Sequence, residues 1–155
     1  MPLQGQQWKP RDVLRLLWDN HFHDANILMT MGATIDAESN LFAHAWHWND
    51  PADGLDGSTD WGMFMENDGN VGGVAPDKDG NPLPGGIKTQ EEVTAFRDKM
   101  WDPYQAAPVA RKQFVDRGFK PWAAYTNGAY KHFIPTMCEG VCNMLAVLNG
   151  FAPVV

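Results

Sequence analysis

Apolar positions recur with helical spacing over most of the chain. From Pro10 to Asn20, Val13, Leu14, Leu16, Leu17 and Trp18 crowd one broad face and Arg11, Asp12, Arg15 and Asp19 lie elsewhere, so the segment is an amphipathic helix with Pro in its first turn. Ala25 to Ala37 carries Ile27, Leu28, Met29, Met31, Ala33 and Ile35 nearly all round, the pattern of a helix covered on most sides, and Glu38 terminates it. Leu41 to Asp56 mixes bulky aromatics with His before Asn49, Asp50, Pro51, Asp53 and Gly54, which predicts loop with a short helical turn. Ser58 to Asn67 then alternates, with Trp61, Met63 and Met65 on one side and Gly62 and Phe64 on the other, the period of a short strand.

Asp68 to Lys88 is too rich in Gly, Pro, Asp and Asn to be helical. Its Asp79-Gly80 and Pro84-Gly85 turns predict an ordered loop or hairpin within the domain. Thr89-Gln90-Glu91-Glu92 is a capping box opening a helix that carries Val93, Phe96, Met100 and Trp101. Asp102-Pro103 starts another as N-cap and first residue, with Tyr104, Ala107, Val109, Ala110, Phe114 and Val115 available for packing, and Gly118 ends it. Trp122 to Phe133 is a short helix or turn interrupted near Asn127-Gly128, and Pro135 to Asn149 is the last helix, stopped by Gly150. The pattern gives five or six helices, one small β insertion and no internal repeat. That is an α+β, mostly helical layout in a single domain spanning 1–155, with a cleft between lobes.

A chain of 155 residues buries roughly two-thirds of its unfolded surface and needs no covalent staple. Cys138 and Cys142, four apart on a helix, are expected as free thiols on or near the core. The formal net charge of −7 argues against nucleic acid and anionic membranes as partners. With no run of about 18 apolar residues and no basic, apolar leader, the protein is expected to be made in the cytosol without membrane insertion. The seven Trp supply large flat faces of the kind that suit sugar rings, although each taken singly is more often core.

Two carboxylates stand out against this frame. Glu38 ends a buried helix, where lost solvation and the negative pole of the helix dipole both raise the pKa of an acid. Asp60 follows in a Gly/Ser/Thr segment that must bend and then extend, where it serves either in chemistry or in holding the turn through the Ser58 or Thr59 backbone. Carboxylates in such unlike surroundings titrate apart, as an acid/base pair for glycosidic bonds requires.

Glu38-Ser39-Asn40, with Asp56-Gly57-Ser58-Thr59-Asp60-Trp61-Gly62-Met63-Phe64 and Asn67, resembles the lysozyme superfamily. Phe119 to Tyr130, with Trp122, Tyr125, Gly128 and Tyr130, is similar to the W-x-x-Y-x-x-G-x-Y segment of phage-type lysozyme-like domains and lytic transglycosylases. The resemblance spans about Ala25 to Phe133 and implies a helical fold with a small β-hairpin lobe. It implies an enzyme that cleaves the β-1,4 bond between N-acetylmuramic acid and N-acetylglucosamine in peptidoglycan, with Glu38 as catalytic acid and Asp60 as nucleophile or electrostatic stabiliser. Ser39, Ser58, Trp61, Asn67 and Tyr125 are then the substrate-binding residues. Lytic transglycosylases can keep a similar sequence, so a muramidase using water and a transglycosylase using the sugar's own 6-hydroxyl both remain open, as does a non-catalytic glycan-binding or structural virion subunit. Met65-Glu66-Asn67 departs from the family's Gln-Ile-Asn, losing an amide and adding a third acid on the opposite side of the strand. The resemblance implies no cofactor. It suggests a bacteriophage protein, a lysin released through a holin or a wall-penetrating module of a virion tail, with peptidoglycan and virion tail proteins as its partners.

Metal chemistry is not indicated. His21 with His23 and His44 with His47 have no companion acid at a zinc spacing. Asp77-x-Asp79-x-Asn81 opens like a calcium loop, but Pro82 and Lys88 stand where Gly and a bidentate Glu are needed.

Overall fold

The long apolar run becomes a helix around which the others gather. The computed structural model describes residues 5–54, 58–69 and 90–150. Within them six α-helices form: α1 (Pro10–Asp19), α2 (Ala25–Ser39), α3 (Gln90–Met100), α4 (Pro103–Arg117), α5 (Ala123–Thr126) and α6 (Ile134–Leu148). Asp24 caps α2 by accepting hydrogen bonds from the Asn26 and Ile27 N–H groups at 3.0 Å, and Leu28, Met31, Ala33 and Ile35 are fully buried. The helix runs through Ser39 and stops where Asn40 turns left-handed, so Glu38 occupies its last turn. Around it pack α1, α5, α6 and the 3₁₀ turn Ala129–Phe133, and α1 also lies against α6. Gly32 and Gly140 allow this closeness: a Cβ there would lie 2.8 Å from Met137 Sδ and 2.7 Å from Leu14 Cδ1 respectively.

Strands β1 (Trp46–Trp48), β2 (Thr59–Trp61) and β3 (Glu66–Asn67) form an antiparallel sheet in the order β1-β2-β3. Two expectations change here. The stretch expected as one strand, Ser58 to Asn67, is a hairpin that reverses at Gly62–Met65, with φ of +82° at Gly62 and +50° at Met65. Its alternating apolar residues arise because the tip itself is buried: Met63 and Phe64 have no exposed surface. The Leu41–Asp56 loop also contains a strand, β1, whose three residues are too few to show a period and whose partner lies outside it.

The helix starts and stops otherwise follow the sequence. Asp102 caps α4 through the Tyr104 N–H at 3.0 Å, Gly118 ends it, and the break at Asn127-Gly128 separates α5 from the 3₁₀ turn. Side-chain burial departs in places. Tyr104 and Val115 point outward at 69% and 65% exposure, and both Cys are free but exposed instead of lying near the core, Cys138 donating to Met29 Sδ. The Asp68–Lys88 loop beyond Gly69, its calcium-like fragment and Thr89 of the capping box lie outside the described residues. No described helix is long and apolar enough to cross a membrane.

Candidate active site

Glu38 projects from the last turn of α2, half-buried, and its carboxylate accepts the Ala124 N–H at 2.8 Å from the start of α5. Burial raises its pKa above the ordinary 4.5 and the charge of Asp60 adds to the rise, while the Ala124 hydrogen bond and the charge of His47 pull the other way.

Asp60 is the middle residue of β2, directly opposite His47 on β1 and Asn67 on β3, so all three side chains share one face. Two amides clamp its carboxylate. Asn67 Nδ2 donates to Oδ1 at 2.8 Å and Asn49 Nδ2 to Oδ2 at 3.2 Å, and the same amides donate to Ser58 Oγ at 2.8 and 3.2 Å. Buried Asp68 accepts the Thr59 N–H at 3.0 Å and the Trp61 indole N–H at 3.2 Å, which holds the start of β2.

One short segment ties the hairpin tip to the acid on α2. Trp122, 2% exposed, donates its indole N–H to the Phe64 carbonyl at 3.0 Å, and two residues on the Ala124 N–H holds Glu38. The start of α5 thus anchors the hairpin that carries Asp60 and fixes the Glu38 carboxylate.

The residues expected to touch substrate divide. Asn67 is at the Asp60 carboxylate, and Tyr125 adjoins Ala124 with its ring stacked between Phe119 at 4.4 Å and Tyr130 at 4.9 Å. Ser58 belongs to the amide clamp and is 3% exposed. Ser39 is not available: it is 1% exposed and bonds back to the Ile35 carbonyl at 3.0 Å. Trp61 is turned away, because it is next to Asp60 in a strand and so points to the opposite face, against Trp46 and Trp101. Three participants were missed, His47, Asn49 and Ala124. Nothing local marks them, since strand register and the docking of α5 bring them in.

Glu66 sits across from Trp61 on the far side of the sheet at 2% exposure. Burial pushes its pKa up to about 8, against a hydrogen bond from Gln113 and the attraction of Arg117, and Asp60 pushes it further. Its Oε1 has no partner among the described residues. A neutral Glu66 adds no third negative charge behind Asp60 near pH 7.

Among the described residues no group of three His, Cys, Asp or Glu side chains is placed to hold a metal ion. His44 stacks on Trp101, and His23 bonds the Trp18 carbonyl. Compared with known proteins, the chain matches no family model and no curated sequence.

Proposed function

We propose that the protein is a peptidoglycan-cleaving glycosidase, a muramidase acting on the β-1,4 bond between N-acetylmuramic acid and N-acetylglucosamine. The observation that carries the reading is the pairing of a half-buried acid with raised pKa, Glu38, and a carboxylate that accepts hydrogen bonds from two amides, Asp60, whose charge acts on Glu38. Glycoside cleavage needs this asymmetry: one carboxyl still protonated to donate to the leaving oxygen, and one negative charge beside the oxocarbenium-like carbon.

Glu38 protonates the bridging oxygen as the bond to the anomeric carbon breaks. Asp60 stabilises or captures the cation, with Asn49 and Asn67 holding it in place. Glu38, now a base, takes a proton from the incoming water. Such chemistry calls for a lysozyme-like arrangement in which the sheet and the helical part form the two walls of a sugar groove, with Tyr125 near the acid. In this reading the protein is of phage origin, a lysin or a wall-penetrating part of a virion tail.

The test is digestion of purified peptidoglycan by the wild type and by Glu38→Gln, followed by mass analysis of the released fragments. We expect reducing-end muropeptides from the wild type and at least about a 10²-fold loss in the variant. Equal activity of the two proteins rejects the assignment of Glu38. Anhydro ends point instead to a lytic transglycosylase, and no release by the wild type to a non-catalytic glycan-binding or structural subunit.

A further inference from the structure

A cavity of about 510 Å³ lies away from Glu38 and Asp60, between the start of the described chain, α1 and the first turn of α4. We propose that it is a second glycan-binding site, which takes uncharged pyranose rings of the same polysaccharide strand; the choice of ligand rests on the peptidoglycan reading above.

Three independent segments build the cavity. Residues 6–8 are pinned against 40–43 by Trp8 N–H to Leu41 O at 2.9 Å, Ala43 N–H to Gln6 O at 3.1 Å and Gln7 Nε2 to Asn40 O at 2.9 Å. Asp12, Arg15, Leu16 and Asp19, at i, i+3, i+4 and i+7 of α1, present one stripe to it. Tyr104 closes it from α4, its ring 5.5 Å from that of Trp8 and edge-on to it. The site is therefore framed by ordered backbone, and its volume falls within the roughly 300–1,000 Å³ of small-molecule sites, enough for about one or two sugar rings.

The lining chemistry selects the ligand class. Trp8 and Tyr104 offer apolar ring surface with a polar edge, which suits the C–H face of a pyranose. Gln6, Gln7, Asn20 and the Arg15–Asp19 pair, joined at 3.0 Å, offer planar donors and acceptors, which suit adjacent hydroxyls and acetamido groups. Lys9 and Arg15 are matched in number by Asp12 and Asp19, so the site has no excess charge with which to favour an anion or a cation. Tyr104 is 69% exposed, so its ring face is open to a ligand that enters the cavity. A second hold on the strand would raise the local concentration of substrate at the Glu38 site. That matters for a chain of net charge −7, which gains no long-range attraction to an anionic wall.

The experiment uses the Glu38→Gln protein, labelled with ¹⁵N at the indole nitrogens and titrated with chitotetraose, a β-1,4 tetramer of N-acetylglucosamine. Trp8→Phe identifies the Trp8 signal. We expect a saturable shift of that signal and about a tenfold weaker titration on adding Tyr104→Ala, whose side chain is too exposed to be needed for folding. With Glu38 intact, Tyr104→Ala should slow release from insoluble peptidoglycan several-fold and leave cleavage of short soluble oligosaccharides unchanged. A Trp8 signal that does not move, or that titrates equally well without Tyr104, overturns the site. Should the wild type release nothing from peptidoglycan while the Trp8 signal still titrates, the proposed activity fails and this site stands.

Discussion

At Glu38, opposing charges bear on a single proton. Burial and Asp60 hold the proton on, while the Ala124 N–H and His47 favour its loss. A general acid works only while protonated, so the rate should fall as pH rises through the Glu38 pKa. His47→Gln removes that influence and should raise the Glu38 pKa, moving the alkaline limb of the pH–activity curve to higher pH. Rates measured across pH on soluble peptidoglycan fragments check this, and an unmoved limb would mean that His47 does not act on Glu38. None of it is visible in the spacing of His44 and His47, because His47 meets Asp60 only through the register of β1 and β2.

The hairpin joining β2 to β3 inverts the usual arrangement, since its tip is core while Asp60, Trp61 and Asn67 on its strands are only half-buried. Gly62 is required there twice over. Its φ is +82°, and a Cβ would lie 2.1 Å from the Met100 carbonyl oxygen, which cannot move without shifting the end of α3. Gly62→Ala should therefore cost at least about 2 kcal/mol, or roughly 5 °C in Tm. Gly54, with φ of +79° and nothing within 4 Å of where a Cβ would lie, is the control: Gly54→Ala bears the backbone strain alone, about 1 kcal/mol. Thermal melts of the two variants separate strain from collision, and equal losses would show that the close approach to Met100 is not felt. Helix ends were legible from sequence because caps are local, as at Asp102, Gly118 and Gly150. The periodicity of Ser58 to Asn67 did not show the hairpin, which only the resemblance implied, because Met63 and Phe64 are apolar for a tertiary reason that imitates a strand's period.

Over the whole molecule, buried acids tie stability to pH. Glu66 is lifted from 4.5 to about 8 and Asp36 from 3.8 to about 6, so between these values the folded chain holds more protons than the unfolded one. Their contribution is present in full below the unfolded pKa values and is lost as pH rises through the folded ones. For Glu66 the difference is on the order of a few kcal/mol. Tm should fall as pH is raised from about 5 to about 8, and Glu66→Gln should flatten the fall. The variant is expected to melt with the wild type near pH 5 and above it near pH 8, in scanning calorimetry at fixed ionic strength. A wild-type Tm that rises over this range, or a variant that tracks it throughout, would show that Glu66 is ionised in the fold.

The order of helices, the cap at Asp102, the stops at Gly118 and Gly150 and the presence of two carboxylates in unlike segments followed from the sequence, since periodicity, capping and turn preferences act between residues a few places apart. The third strand, the opposite facing of Asp60 and Trp61, the inward turn of Ser39 and the arrival of Asn49, His47 and Ala124 at the carboxylates were decided by tertiary structure. Each depends on strand register or on the docking of α5 against α2, contacts between residues up to 86 positions apart that no local pattern records.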